Sequence, residues 1–406
     1  MNDLLNAYQM YQKMIRYPHL MGEIRALFLS TLAREGIATA ESIEREAMAM
    51  LDARKLQATE ENVRQYRDGL IDLHFASRFG PEEIENHINL ARKNDAFHHL
   101  RRVVNTERAS SQSIKQVLKE FCAIPQGSMH ISSNDAEAVR VALIHHFISD
   151  QLPFIGIAKN HITIRDVNDM MDNCVWNRRR GGRIGGKAAG MFLAYRIVLP
   201  RLEERDPELE RYVAIPESFY FNSGILADFI DYNGFYSFHS QKYKSREVIE
   251  EEYGQIAQQI DRASFPADVV EDFRHFLVRI GEHPLILRSS SLLEDNFGHA
   301  FSGKYDSVFI ANTGDIDTRL AEFIRAYKQV FKSIFSPSAI LYRRDHNLLD
   351  FDEKMSVLVQ KVVGRRFGDY FFPMAAGVAY SRNAYTWTPR IRREDGLVRF
   401  VAGLGT

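Results

Sequence analysis

Cysteine is scarce in this 406-residue chain, which holds only Cys122 and Cys174. Two thiols cannot build the disulfide framework of a small secreted scaffold, so a reducing, cytoplasmic setting is expected. An excess of one charge is also missing: 52 Lys and Arg stand against 53 Asp and Glu, a formal net charge of -1. That balance argues against a general nucleic-acid binder and against a protein held on a membrane surface by charge. No apolar run approaches the roughly 20 residues needed to cross a bilayer. The opening residues, MNDLLNAYQMYQKMIRYP, have neither the basic start nor the unbroken apolar core of a signal peptide. No fixed-period repeat is found, which excludes a solenoid. What remains is an ordinary globular composition, 45% hydrophobic and 26% charged, with enough chain for two or three domains.

Residues 1–150 read as a helical domain, counted by periodicity. Leu4, Tyr8, Tyr11 and Ile15 share one helix face, which Pro18 ends. Thr39 precedes a stripe of Ile43, Ala47 and Met50, and Thr59 precedes Val63, Tyr66, Leu70 and Leu73. Both threonines are expected N-caps. Gly80-Pro81 starts a helix with Ile84 and Ile88. Ile114, Val117, Leu118 and Phe121 form a further stripe. Asn134 with Glu137 resembles a capping box ahead of Val139, Leu143 and Phe147.

After a connecting segment over 151–175 the texture changes to α+β or α/β. Strands are expected at Tyr212–Ile215, Leu285–Arg288, Tyr305–Ile310, Ser356–Val363, Ala375–Ser381 and Leu397–Ala402. Helical stretches fall at Gly190–Val198, Gly224–Ile230, Val248–Ile260 and Ile316–Ile334. Asp261–Pro266 and Leu348–Lys354 read as surface connections.

Two segments carry the chemistry. In LILRSSSLLEDNFGHAFSGKYDSVFI, residues 285–310, a short apolar run delivers Arg288 into the hydroxyls of Ser289, Ser290 and Ser291. The turn glycine Gly303 then leads into a second alternating run. A guanidinium fork beside hydroxyls and turn amides matches the oxygens of a polyphosphate. The second segment is a glycine run, Gly181, Gly182, Gly185, Gly186 and Gly190, bearing Lys187 and followed by an apolar helical stretch. Glycines let backbone N–H groups approach an anion, which the N-terminus of the following helix would also face. The spacing nearly satisfies a P-loop, but Ala188 stands where a Ser or Thr must hold magnesium, and Asn177–Arg180 is no buried strand. A P-loop NTPase is therefore rejected. By itself the glycine run reads equally well as a hinge.

The motifs GGKAAG (Gly185–Gly190), VAIPESFYF (Val213–Phe221), LRSSSLLEDNFGHAFSGKYDSVF, SPSAILYRR (Ser336–Arg344), MSVLVQKVV (Met355–Val363), AAGVAYSRN (Ala375–Asn383) and VAGLG (Val401–Gly405) occur in one order. That order resembles the nucleotide-binding domain of the pyruvate phosphate dikinase and phosphoenolpyruvate synthase family over about residues 176–406. The resemblance implies an ATP-grasp-like fold, here incomplete, with ATP between two α+β halves. It implies that Gly185, Gly186 and Lys187 form the phosphate loop and that Lys187 and Arg288 are the two cationic contacts to the phosphates, the residues expected to act in catalysis. Gly303 would turn over the nucleotide, Ser307 and Val308 would line it, and Gln360 would border the adenine.

The departures are specific. The family's Ala-Gly-Gln-Gln turn is Ser302-Gly303-Lys304-Tyr305 here, which adds a positive charge, and its Pro-Gly-Phe is Pro216-Glu217-Ser218-Phe219. The family's Mg2+ ligands and its phospho-carrier histidine domain lie beyond the equivalent of Thr406, so this sequence is expected to be the front part of a longer protein. The acceptor implied is pyruvate, a glucan or a small antibiotic-like alcohol.

Among the remaining features, the arginines at 178–180 read as a solvated stretch beside the loop, without the aromatic interleaving of a nucleic-acid surface. His98-His99 and His145-His146 are adjacent on helices, point apart, and are expected to be structural or surface residues. Glu294 and Asp295 read as loop-capping carboxylates in preference to metal ligands. Two function classes stand. One is the ATP-binding portion of a phosphotransferase. The other is a nucleotide-sensing or scaffolding module whose helical domain binds a partner protein.

Overall fold

The computed structural model of the protein describes residues 2–106, 109–125, 131–177, 179–293, 303–351, 353–383 and 385–404. Two compact units are present, Met1–Ala142 and Leu143–Thr406.

The first unit carries α1 (Asn2–Met14), α2 (Met21–Arg34), α3 (Ala40–Ala53), α4 (Glu60–Arg78), α5 (Pro81–Val104) and α6 (Ser111–Ala123), and the start of α7 (Ser133–Phe147). Thr39 and Thr59 cap α3 and α4 as expected, accepting from the backbone N–H groups of Ser42 and Asn62 at 3.2 Å each. Pro81 opens α5. The cap of α7 is a correction: Ser132 Oγ, not Asn134, accepts from a first-turn amide, that of Asp135. The face of α1 is a second one. Met10 and Met14 are buried, whereas Leu4 and Tyr8 are 72% and 60% exposed. Both stripes have helical period, and which one turns inward is set by the packing of α1 on α4, a choice that periodicity does not encode. The core of this unit stacks Phe28 on Phe75 at 3.9 Å.

The second unit is α+β. After α8 (Leu152–Ala158) and α9 (Ile164–Asp172) come β1 (Cys174–Val175), α10 (Gly186–Arg205), α11 (Pro207–Glu210), β2 (Ser218–Phe221), α12 (Gly224–Asn233), α13 (Arg246–Arg262) and α14 (Ala267–Ile280). Then follow β3 (Leu285–Ser291), β4 (Ser307–Ile310), α15 (Ile316–Ser333), α16 (Pro337–Asp345), β5 (Met355–Lys361), β6 (Arg365–Phe367), β7 (Tyr370–Phe372), β8 (Ala375–Tyr380) and β9 (Leu397–Ala402). Five strands form one sheet in the order β1-β2-β5-β3-β4, antiparallel except for the β1–β2 pair. The pairs β6–β7 and β8–β9 form separate two-stranded ribbons. Tyr212–Ile215 is not a strand. Pro216, which has no N–H to give a ladder, follows it, and the strand begins at Ser218.

Alternation along the strands gives the sheet two unlike faces. Phe219 and Phe221 of β2, Leu285 and Leu287 of β3, and Val357 and Val359 of β5 belong to one apolar core with α12–α15. Phe221 meets Phe276 at 5.0 Å, edge to face, within a ring cluster that includes Phe273, Phe323 and Tyr327. Such pairs add about 0.5 to 1.5 kcal/mol each beyond area burial. Phe265, expected in a surface connection, is buried in this cluster. The other face presents Ser218, Arg288, Ser290, Ser356 and Gln360, and α10 lies against β3.

Tyr327 is fully buried among these rings, and its hydroxyl has no hydrogen-bond partner among the described residues. Tyr327→Phe removes that unpaired group and keeps the ring, so stability should rise by about 1 kcal/mol. A shift of the urea midpoint to higher denaturant is the expected outcome; a fall shows that the hydroxyl is satisfied.

Candidate functional site

The glycine run is held in place residue by residue. Asn177 begins it: the side-chain oxygen accepts from the N–H groups of Arg179 (2.9 Å) and Arg180 (2.7 Å), and its amide donates to buried Asp228 at 2.6 Å. Arg180 Nε sits 3.2 Å from Asp228 and the same side chain pairs with Asp231, while Arg179 donates to Asp268 at 2.9 Å. These two arginines therefore pin the loop to α12 and α14; Arg178 lies outside the described residues. Gly182 and Gly224 pass so closely that a Cβ on Gly182 would stand 2.7 Å from Gly224 N.

The loop then docks on β3 and β5. The carbonyl of Arg183 accepts from Ser356 Oγ at 2.6 Å. Ser290 Oγ donates to the Ile184 carbonyl at 2.8 Å and accepts from the Ala188 N–H at 3.0 Å. Between these two bonds Gly185 has φ +82°, and a Cβ there would lie 1.7 Å from the Ser290 carbonyl oxygen. Only glycine fits, on both backbone and steric grounds. The helix α10 starts at once, at Gly186, so its positive dipole end is fixed beside β3.

Lys187 reaches β3 at the residue next to Arg288. Lys187 Nζ is 3.3 Å from Ser289 Oγ. Arg288 Nη1 donates to Gln360 Oε1 at 3.2 Å, and Gln360 Nε2 donates to Ser218 Oγ at 2.9 Å. Gln360 is thus a buried bridge between the arginine and β2. Ser218 is its other end. The phenol of Tyr195 on α10 is pushed up by burial, an effect that the nearby Arg288 charge opposes. Tyr195 and Met191, which lies 3.4 Å from Gln360 Nε2, therefore cover this polar face from above. Motif reading missed both, since on an apolar helix stripe they look like ordinary core residues.

The remaining candidates divide between the two sides of β4 and the turn before it. Ser307 opposes Arg288 in the β3–β4 ladder, whereas Val308 opposes Leu287 and packs against the apolar core. Gly303 occupies a turn with φ +73° and open space at its Cβ position. Lys304 lies over the Tyr342 ring at 5.2 Å. Glu294, Asp295 and Ser302 lie outside the described residues. Among the described residues no group of three or more His, Cys, Asp or Glu is placed to hold a metal, and no helix is long and apolar enough to cross a membrane.

Comparison with known proteins adds the following. Residues 182–406, more than half of the chain, match a family model described as pyruvate phosphate dikinase, AMP/ATP-binding domain. Two rifampicin phosphotransferases, from Bacillus cereus and from Bacillus subtilis, are each 27% identical over 155 residues. That stretch is 38% of this chain but 16% of either relative, so the chain spans only a small part of their length.

The contact at Gly185 can be tested directly. Gly185→Ala should cost more than about 2 kcal/mol, because both the backbone and β3 must shift. Gly190→Ala, inside α10 with nothing within 4 Å of the added methyl group, should gain up to about 1 kcal/mol. Denaturant unfolding of the two variants reads the difference; equal stabilities refute the close approach.

Proposed function

The chain belongs to the family of the pyruvate phosphate dikinase AMP/ATP-binding domain, and from that membership we propose that its glycine loop and β3 together bind the phosphates of ATP. The observation that carries this reading is that Lys187, at the N-terminus of α10, reaches β3 at Ser289, the residue next to Arg288. The Ser289 hydroxyl beside Lys187 and the Gln360 carbonyl oxygen beside Arg288 are neutral groups, weaker partners for a cation than a phosphate. ATP-grasp-like enclosure by the second half of the domain, with Ser307 and Gly303 toward the nucleotide, is part of the same reading.

The activity we propose is phosphotransfer from ATP to a phospho-carrier histidine domain. Phosphoryl transfer asks a protein for positioning and for stabilisation of spreading negative charge. Lys187 and Arg288 supply both at the phosphates. Mg2+ would supply further charge neutralisation. Among the described residues no carboxylate cluster fits it. The relatives' name supports a phosphotransferase, with an acceptor of its own. The low cysteine count, two in 406 residues, supports a cytoplasmic setting.

A second reading, a nucleotide-sensing module, is favoured by one observation: the compact unit Met1–Ala142 lies outside the matched residues. That unit would then bind a partner protein. ATP turnover with a phosphorylated histidine supports transfer; tight binding without turnover supports sensing.

Calorimetric titration with ATP and Mg2+ tests the site. Lys187→Ala and Arg288→Ala should each weaken binding by about 1.5 to 3 kcal/mol, the usual range for charge-assisted contacts. Unchanged affinity in both variants refutes the assignment.

A further inference from the structure

Glu353 lies in a segment that reads as a surface connection, two residues before β5, yet its side chain is only 6% exposed. Among the described residues three partners meet it. Oε1 accepts from the Ser291 hydroxyl. Oε2 accepts from the Tyr305 hydroxyl at 2.7 Å and lies 3.5 Å from Nη1 of Arg343, whose side chain is 4% exposed. Ser291 is the last residue of β3, on the strand that holds Arg288, and its hydroxyl also accepts from the N–H of Leu293 at 2.9 Å. Tyr305 stands between Gly303 and Ser307, and Ser307 faces Arg288 across the ladder. One carboxylate therefore joins the strand leaving the cationic site to the chain returning toward it, and ties both to α16.

We infer that Glu353 is a positioning residue for the nucleotide site. It fixes the distance between the end of β3 and the residues around Gly303, and so the placement of Arg288 and Ser307 for ATP. This inference rests on the ATP reading above. The chemistry favours geometry over stability as the reason for a charge here. A buried carboxylate is costly to desolvate, and apolar residues of similar volume often serve stability as well. Its two oxygens, however, can accept from several donors at once, which a packed methyl group cannot do.

The test is calorimetric titration of the full chain with ATP and Mg2+, run on the wild type, Lys187→Ala, Glu353→Ala, Glu353→Gln, Tyr305→Phe and the double variant Glu353→Ala/Tyr305→Phe. Glu353→Ala should weaken ATP roughly 10-fold or more, and Tyr305→Phe roughly 3- to 10-fold, as loss of hydrogen bonds to a charged group implies. Glu353→Gln, which keeps the shape and one acceptor, should recover part of the loss. The double variant should bind no more weakly than Glu353→Ala alone, because Tyr305 acts through Glu353. The inference is overturned if Lys187→Ala weakens ATP while Glu353→Ala and Tyr305→Phe stay within about twofold of wild type, or if the double variant is fully additive. Should Glu353→Ala fail to fold, Tyr305→Phe alone decides. No binding by the wild type removes the ATP reading and this inference with it, an outcome distinct from the others.

Discussion

The close contact between Gly185 and Ser290 is the constraint on which the rest of the site depends. The backbone at Gly185 approaches β3 to a distance that no side chain could allow, and the Ser290 hydroxyl bonds the loop on both sides of it. This fixes where α10 begins. It also sets how α10 runs over the sheet, with Met191 and Tyr195 above Gln360 and Arg288. Lys187, the second residue of the helix, then has the Ser289 hydroxyl in reach. A longer approach would leave the same residues in the sequence but scatter the cations.

The opposite face of the sheet provides the stiffness that such a contact needs. Rings from β2, α14 and α15 interlock behind the strands, so the polar face is presented on a platform that cannot easily flex. Polar residues on the site face are paired with one another: Ser218 with Gln360, Gln360 with Arg288, Ser356 with the loop carbonyl. Buried polar groups that satisfy each other rigidify a structure, and this network spans three strands and the glycine loop. The arginines before the loop play a related part. Asp228, Asp231 and Asp268 hold them at the surface of the helical layer, a structural use of charge in place of recognition.

Much of this was legible in the sequence, though for different reasons in different places. The strand carrying Arg288 and the partner strand around Gln360 were visible as short apolar runs, and the Thr39 and Thr59 caps as hydroxyls ahead of periodic stripes. The loop before α10 was visible from its glycines and lysine. What stayed hidden depends on contacts distant in sequence. On α1 both stripes have the helical period, and tertiary packing alone selects Met10 and Met14 for the interior. Glu353 looks like any loop carboxylate until Ser291 and Tyr305 are seen to converge on it. The alternation of β4 separates Ser307 from Val308, so two neighbours expected on one nucleotide face opposite sides.

The most direct measurement is a crystal structure of this chain with a non-hydrolysable ATP analogue. The account predicts phosphate oxygens within hydrogen-bond distance, about 2.7 to 3.2 Å, of Lys187 Nζ and the Arg288 guanidinium, at the N-terminus of α10. A nucleotide bound elsewhere, with Lys187 still on Ser289 and Arg288 still on Gln360, would contradict it.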